Sequence, residues 1–471
     1  MTGQVRGRSN RGGSHYTVAL TGDVIMNTRV STCRDPEVVS VLQLLRSADV
    51  THAHLEVPLH DFGADDVFPA AEGALSWMRG PSRVAEELAW CGVDLVSTAS
   101  NHALDYSYGG LRHTIAALDR VGLPHAGTGR DLAEARSPAF LDAAPARVAL
   151  VSATSSFPAF AVAGAARTDM RGRPGVSPMR YVHVVDPPTA ERIAALAGAL
   201  GLWVLRRADQ LAVHPPGLHN SLTRFRIDPA AAVATTACDP DDLAGYLGSL
   251  RSARAVADFV IAHLHVQAWD GADGRMSSTP AFARELAHRA VAAGASVVLL
   301  QGSHAPLRGV EVYDGVPIIH DPGPLFRLGR REAQPQEFYQ RWGNPAGVRS
   351  FDATLLDAYS ARDRTWAAED RLILHPVEGV SHSPGALLPI CEVDARNHRV
   401  THLNLYPITW STARAATTGF PTRPGPADSA AVLARLTELS APYGVVPSVA
   451  AGRARVEVPS PDPVPDPSPE R

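Results

Sequence analysis

Residues 93–112 read VDLVSTASNHALDYSYGGLR, and the order of residue types in this stretch decides the fold. Val93–Thr98 is a short run carrying Val, Leu and Thr, expected to be a buried strand. Gly110–Val121 follows a helical pattern. Between them lie Ser100-Asn101-His102 and then Asp105, a polar group delivered to a loop directly after a strand. Ligands of open α/β sheets gather outside the carboxyl ends of strands, so a polar cluster in this position points to a site.

The same alternation extends outward in both directions. Tyr16–Leu20, Val50–Leu55, Val148–Ala153, Val256–His265 and Ser296–Leu300 read as strands. Pro36–Leu45, Pro81–Cys91 and Pro280–Ala293 read as helices between them. Strands alternating with helices give the fold class α/β, a layered arrangement of helices packed on sheets. Residues 158–250 are less regular, rich in Ala, Arg and Pro, and are expected to form an insertion or cap. Residues 331–458 are expected to complete the fold, with strands Ala386–Val393 and Val400–Leu405 and a helix Asp428–Leu439 capped by Asp428. Residues 1–15, rich in Gly, Arg and Ser, and the Pro-rich tail 459–471 are expected to be disordered, leaving 16–458 as the folded body.

Composition narrows the function. With 44 Lys and Arg against 48 Asp and Glu, the formal net charge is -4, so nucleic acid is not an expected partner. The four cysteines, Cys33, Cys91, Cys238 and Cys391, are widely spaced and form no C-x-x-C pair, which fits reduced thiols better than a disulfide framework or a zinc ribbon. No stretch is long and apolar enough to span a bilayer, and no signal region precedes the first strand. The expectation is a cytoplasmic enzyme without membrane contact.

Further polar clusters sit at predicted strand ends. Thr21-Gly22-Asp23 follows the first strand, and the glycine is expected to let the chain turn sharply there. In His52-Ala53-His54-Leu55-Glu56, alternation puts His52, His54 and Glu56 on one face. The same rule pairs His263 with His265. Gly302-Ser303-His304 and His320-Asp321 follow Val297–Leu300 and Val316–Ile319. Asn and Asp or Glu offer oxygen and His offers imidazole nitrogen, so these clusters can hold a divalent ion. Each alone also fits a surface loop, a turn or a structural histidine. Their common placement raises the case for one shared site.

The quoted segments resemble a family. TGDVIMNTRV, ADVTHAHLEVPLHD and the Asn-His block with its trailing D-Y-x-x-G-G-L are similar to the CapA family, named for poly-γ-glutamate capsule synthesis. The similarity runs on through AHLHVQAWDG and GVEVYDGVPIIHDPGPLF, over roughly residues 16–456. This resemblance implies a calcineurin-like metallophosphatase sandwich. It implies Asp23 as the first metal ligand, Glu56 as the acidic residue of an N-L-E motif, and Asn101 and His102 as the N-H motif. It also implies His263 and His265 at the H-x-H strand end, with His304 as a shifted counterpart of the family's G-H-H-P-H segment. The ion expected is Ca, Mn, Mg or Zn. Two departures stand out: Gly302–Leu307 carries one histidine where two are usual, and His320-Asp321-Pro322-Gly323-Pro324-Leu325 replaces Y-S-L-G-N-F.

These departures make an ordinary phosphatase less expected, and the resemblance extends to lasso-peptide epimerases, so the expected activity is a metal-dependent peptide epimerase inverting a Cα with one base on each face. His102 oriented by Asp105 and His320 oriented by Asp321 are the expected acid/base pairs, acting on a peptide substrate. The alternative is a metallohydrolase acting on phosphoesters or γ-glutamyl amides.

Overall fold

The computed structural model describes residues 14–63, 65–73, 76–217, 222–269, 277–303, 307–327, 331–367, 385–412 and 414–459. Two sheets form its body. In the first, the order runs Ser448–Ala450, Arg453–Glu457, Val400–Trp410, Ala386–Asp394, His15–Val24, Val50–Leu55, Leu95–Ser97, His125–Ala126. In the second it runs Arg308–Tyr313, Val316–Asp321, Val297–Gln301, Phe259–His265, Ala146–Thr154, Ala139–Ala143. The central strands of each sheet are parallel. They therefore release their loops on one side of the molecule.

Alternation along these strands builds the layers. Val18, Leu20, Val50 and Leu95 from the first sheet meet Val148, Leu150, Phe259, Ile261, Val297, Leu299 and Ile319 from the second in one buried layer. The intervening residues face outward. Ala19 and Ala53 pack under helices Pro36–Ser47 and Val84–Cys91. Val151, Val260, Leu264, Val298 and Leu300 pack under helices Pro240–Arg254 and Ala281–Ala292. The result is a four-layer sandwich, helix, sheet, sheet, helix, as the α/β reading anticipates. Strands buried on both faces carry apolar residues at both parities, which is why Val297–Gln301 reads VVLLQ.

Several expectations are corrected in detail. The first strand does not end before Thr21-Gly22-Asp23; it runs to Val24, with an irregularity in pairing between Leu20 and Asp23. Gly22 is needed for close approach and not for a turn: a Cβ there would lie 2.0 Å from the Gly323 carbonyl oxygen. The helix Pro426–Ser440 is preceded by Gly425 at the cap with Pro426 in the first turn, so Asp428 is a first-turn acid and not the N-cap. Within 158–250, strands from Tyr181 to Cys238 make a separate five-stranded sheet around a small core of Val185, Ala190, Leu211 and Ile227. Helix Pro240–Arg254 belongs to the main sandwich instead, started by Asp239, whose carboxylate accepts from the Asp241 and Asp242 amides. The strands Ala386–Asp394 and Val400–Trp410 pair beside His15–Val24 and extend the first sheet.

Candidate metal centre

Toward the carboxyl ends of the parallel strands, the inward-facing series turns from apolar to polar. Val50 is followed two and four residues on by His52 and His54, Leu95 by Ser97, Leu150 by Ser152, Ile261 by His263 and His265, and Leu299 by Gln301. Period-two alternation keeps each of these side chains between the sheets. All seven are buried. A polar layer buried this deeply must be satisfied internally.

It is satisfied by a connected network. Ser97 Oγ lies 2.9 Å from His52 Nε2 and 2.9 Å from His54 Nδ1. A hydroxyl has one proton to give, so one of these imidazoles donates to it and the other accepts. The Gln301 amide nitrogen lies 3.1 Å from His263 Nε2 and 3.1 Å from His265 Nδ1. Its two protons serve both rings, which assigns each of those nitrogens as unprotonated. His263 then donates from Nδ1 to Ser152 Oγ at 2.9 Å, and His265 from Nε2 to Asn101 Oδ1 at 2.8 Å. The His54 ring stacks between those of His263 and His265, with centroid distances of 4.8 and 5.0 Å. Burial pulls the His52 imidazole from 6.5 down to about 3 and holds His263 well below its ordinary value, so both are neutral.

Asp23, His54 and His265 each present one ligand atom, and these atoms lie within 4.8 Å of one another, all buried. Asp23 Oδ1 is 3.8 Å from His54 Nε2 and 3.7 Å from His265 Nδ1. Those separations are too long for hydrogen bonds. They match ligands sharing one ion, since atoms about 2.0–2.2 Å from a common ion sit roughly 3–4 Å apart. One carboxylate with two imidazoles suits a borderline divalent cation. His265 Nδ1 also takes a Gln301 proton, so an ion drawing on that lone pair competes with the amide.

The other predicted residues take different places. Asn101 is buried and bonds His265; Glu56 is buried, its backbone carbonyl accepts from Ser100 Oγ at 3.1 Å, and its charge acts on Asp105. His102 and Asp105 form a buried pair, with Nδ1 to Oδ2 at 2.6 Å, and the same oxygen accepts from the Met78 amide at 2.7 Å. Burial raises the Asp105 carboxyl and the neighbouring His102 opposes that shift. His263 is not among the three residues whose ligand atoms converge; it lies two residues further from the strand end, bonded to Ser152 and Gln301 and stacked on His54, as a supporting residue. His304 lies outside the described residues.

The expected pairing of His320 with Asp321 is not formed. Adjacent strand residues point to opposite faces. Asp321 continues the inter-sheet series of Ile319, whereas His320 continues the helix-side series of Ile318. His320 Nε2 bonds Glu311 Oε2 at 3.1 Å from the neighbouring antiparallel strand, its ring stacks on Tyr443 at 4.4 Å, and burial lowers its pKa against the opposing pull of Glu311. Glu311 Oε1 is held by His288 at 2.7 Å. His54, Ser97, Ser152 and Gln301 are the site residues the sequence reading left unassigned. Continuing the apolar alternation past its last Val or Leu would have found all four.

The fold and site thus define an α/β sandwich in which a carboxylate and two imidazoles converge at the strand ends. The model of the family described as "Bacterial capsule synthesis protein PGA_cap" matches residues 17–325, and the chain belongs to that family. Two proteins of Sinorhizobium fredii (strain NBRC 101917 / NGR234), the uncharacterized proteins y4sH and y4uA, are each 28% identical over 438 residues, covering 91% of this chain and 90% of theirs. A solved Staphylococcus aureus structure, described as a 5'-nucleotidase in complex with alpha-ketoglutarate, is 11% identical over 65% of this chain and 49% of its own, with a TM-score of 0.32, too low to bear on the fold. Among the described residues, no helix is long and apolar enough to cross a membrane.

Proposed function

We propose that this protein is a metal-dependent hydrolase in which Asp23, His54 and His265 hold the ion, Asn101 borders it, and the His102–Asp105 pair handles the leaving-group proton. The observation that carries this reading is the adjacency of two functions in consecutive residues: Asn101 bonds His265 at the centre, and His102 bonds Asp105. An ion bound there supplies Lewis acidity and lowers the pKa of water. Asp105 holds His102 by Nδ1, which leaves Nε2 as the nitrogen that exchanges a proton. In hydrolysis, water adds to phosphorus or to the acyl carbon, the bond to the departing oxygen or nitrogen breaks, His102 delivers a proton to that atom, and the proton released by the water restores His102 when the turnover ends. The substrate classes that fit are a phosphoester, from the metallophosphatase architecture, and a γ-glutamyl amide, from the capsule-synthesis description of the family.

Hydrolysis is favoured over Cα inversion because inversion by two bases needs a second base facing the first. The residue expected in that role, His320, is on the helix side of its strand and engaged by Glu311 and Tyr443. The test is turnover by purified protein with added Mn2+ or Zn2+. The panel holds p-nitrophenyl phosphate, bis(p-nitrophenyl) phosphate and γ-glutamyl p-nitroanilide. One class is expected to turn over, and Asp23→Ala and His102→Ala each abolish it. No metal-dependent turnover of either class, together with deuterium entry at the Cα of a peptide, would return the assignment to an epimerase.

A further inference from the structure

Asp321 does not serve His320, yet it is buried at the strand end nearest the centre. We propose that Asp321 is a positioning residue that ties together the loops shaping the Asp23–His54–His265 centre, an inference that rests on the metal reading above. Its two carboxylate oxygens are used separately. Oδ2 accepts from the Ser303 amide at 2.9 Å, and Oδ1 accepts from the Gly323 amide at 2.8 Å.

Each of the two loops so held touches a different residue of the centre. Gly302, next to Ser303, lies against the His265 ring: a Cβ there would be 2.6 Å from Cε1, and its φ of +120° is one that side-chain-bearing residues rarely adopt. The chain leaving Gly323 reaches Leu325 and Phe326, whose amides donate to the Asp23 carbonyl at 2.9 and 3.1 Å. On the way, the Gly323 carbonyl passes over Gly22, where no Cβ fits. One carboxylate thus fixes the wall beside His265 and the backbone carrying Asp23.

A third loop is held through Arg308. It is the register partner of Asp321 across the antiparallel pair and is fully buried. Its Nη2 donates to the Ala268 carbonyl at 2.8 Å, in the segment that follows His265. Burial lowers the Arg308 pKa, and the Asp321 charge counters that shift. A carboxylate suits this junction because it offers acceptors in two directions and no donor. An amide would turn its NH2 group toward one of the two backbone N–H groups.

The test uses Asp321→Asn and Asp321→Ala in the full chain, with His320→Ala as the control one residue away on the opposite face. Hydrogen–deuterium exchange is measured without metal, and Mn2+ and Zn2+ affinities are then titrated. Both Asp321 variants are expected to exchange faster in peptides covering 302–303 and 322–326, and to bind the ions about 10–100-fold more weakly. Asp321→Asn, which keeps one acceptor, retains the fold if Asp321→Ala does not. His320→Ala is expected to leave exchange in those peptides and both affinities unchanged. Unchanged exchange, or faster exchange with wild-type affinity, overturns the positioning role while leaving the metal reading intact. A wild-type protein that binds neither ion overturns the metal reading, and this inference with it. Equal losses in His320→Ala would show general weakening of the strand and also refute it.

Discussion

Replacing Asp105 with Asn isolates the charge of the proposed proton-handling pair. His102 Nδ1 and the Met78 amide meet the same oxygen, Oδ2, at 2.6 and 2.7 Å. An Asn with its carbonyl oxygen in that position keeps both hydrogen bonds and nearly the same volume. What disappears is the negative charge that stabilises the imidazolium form of His102. Two charges about 4 Å apart at an effective dielectric near 20 interact by about 4 kcal/mol, which is the ceiling of the effect. The expected result is a kcat about 10²–10³-fold lower, or about 3–4 kcal/mol, with KM little changed. Stability should move the other way. Burial raises the folded-state pKa of Asp105, so its favourable contribution is present at low pH and is lost as pH rises through that value. Above that value the buried charge is a cost that a neutral amide avoids, and there the thermal midpoint of Asp105→Asn is expected to equal or exceed that of the wild type. The assay pairs steady-state kinetics on the best substrate of the panel with calorimetry. A variant with kcat within about threefold of wild type would refute the role of the charge. Lost activity with a midpoint lower by many degrees would show that Asp105 is structural.

Three further outcomes follow from the same geometry. His54→Ala is expected to lower bound metal, measured by elemental analysis after dialysis, as strongly as Asp23→Ala does; retention of wild-type stoichiometry would remove His54 from the centre. His320→Ala should leave hydrolytic turnover within about twofold of wild type yet lower stability by about 1–3 kcal/mol, because Glu311 loses one of its two imidazole partners; loss of turnover at full stability would contradict its placement away from the site. His52 is depressed to about 3 in the folded protein, so its contribution is complete above pH 6.5 and is lost as pH falls from there toward 3. Denaturant unfolding at pH 7.5 and 5.5 should differ by about 1.4 kcal/mol in total for each such histidine, and His52→Gln should reduce that difference; an unchanged difference would mean that His52 is not the neutral, buried group described.

The sequence alone determined most of the elements and two of the three residues that converge, Asp23 and His265. Short Val, Ile and Leu runs bounded by Gly, Pro and polar residues mark strands such as Val50–Leu55, whose bounds the structure repeats, because a buried strand must be apolar wherever it faces a core. Asp23 and His265, with Asn101 bonded to the latter, were legible together because each stands at the end of a predicted strand, and parallel strands bring such ends together. What the sequence did not carry was which strand lies beside which. His320 and Asp321 are neighbours in the chain, and they point to opposite faces because the strand runs on through Asp321 instead of ending at Ile319; only the layering makes one face a helix side and the other the space between the sheets. Glu311, the actual partner of His320, comes from an antiparallel neighbour whose register is fixed by pairing across the sheet. Likewise His263 and His265 share one face of one strand, and their different surroundings follow from depth: His263 lies level with Ser152 and Leu299, whereas His265 lies level with Thr154 and Gln301 at the strand ends, where Asn101 and Asp23 reach it. Periodicity fixes the face a side chain takes, while its partner is set by how far along the strand the opposing sheet turns from Val, Leu and Ile to Ser, Gln and His.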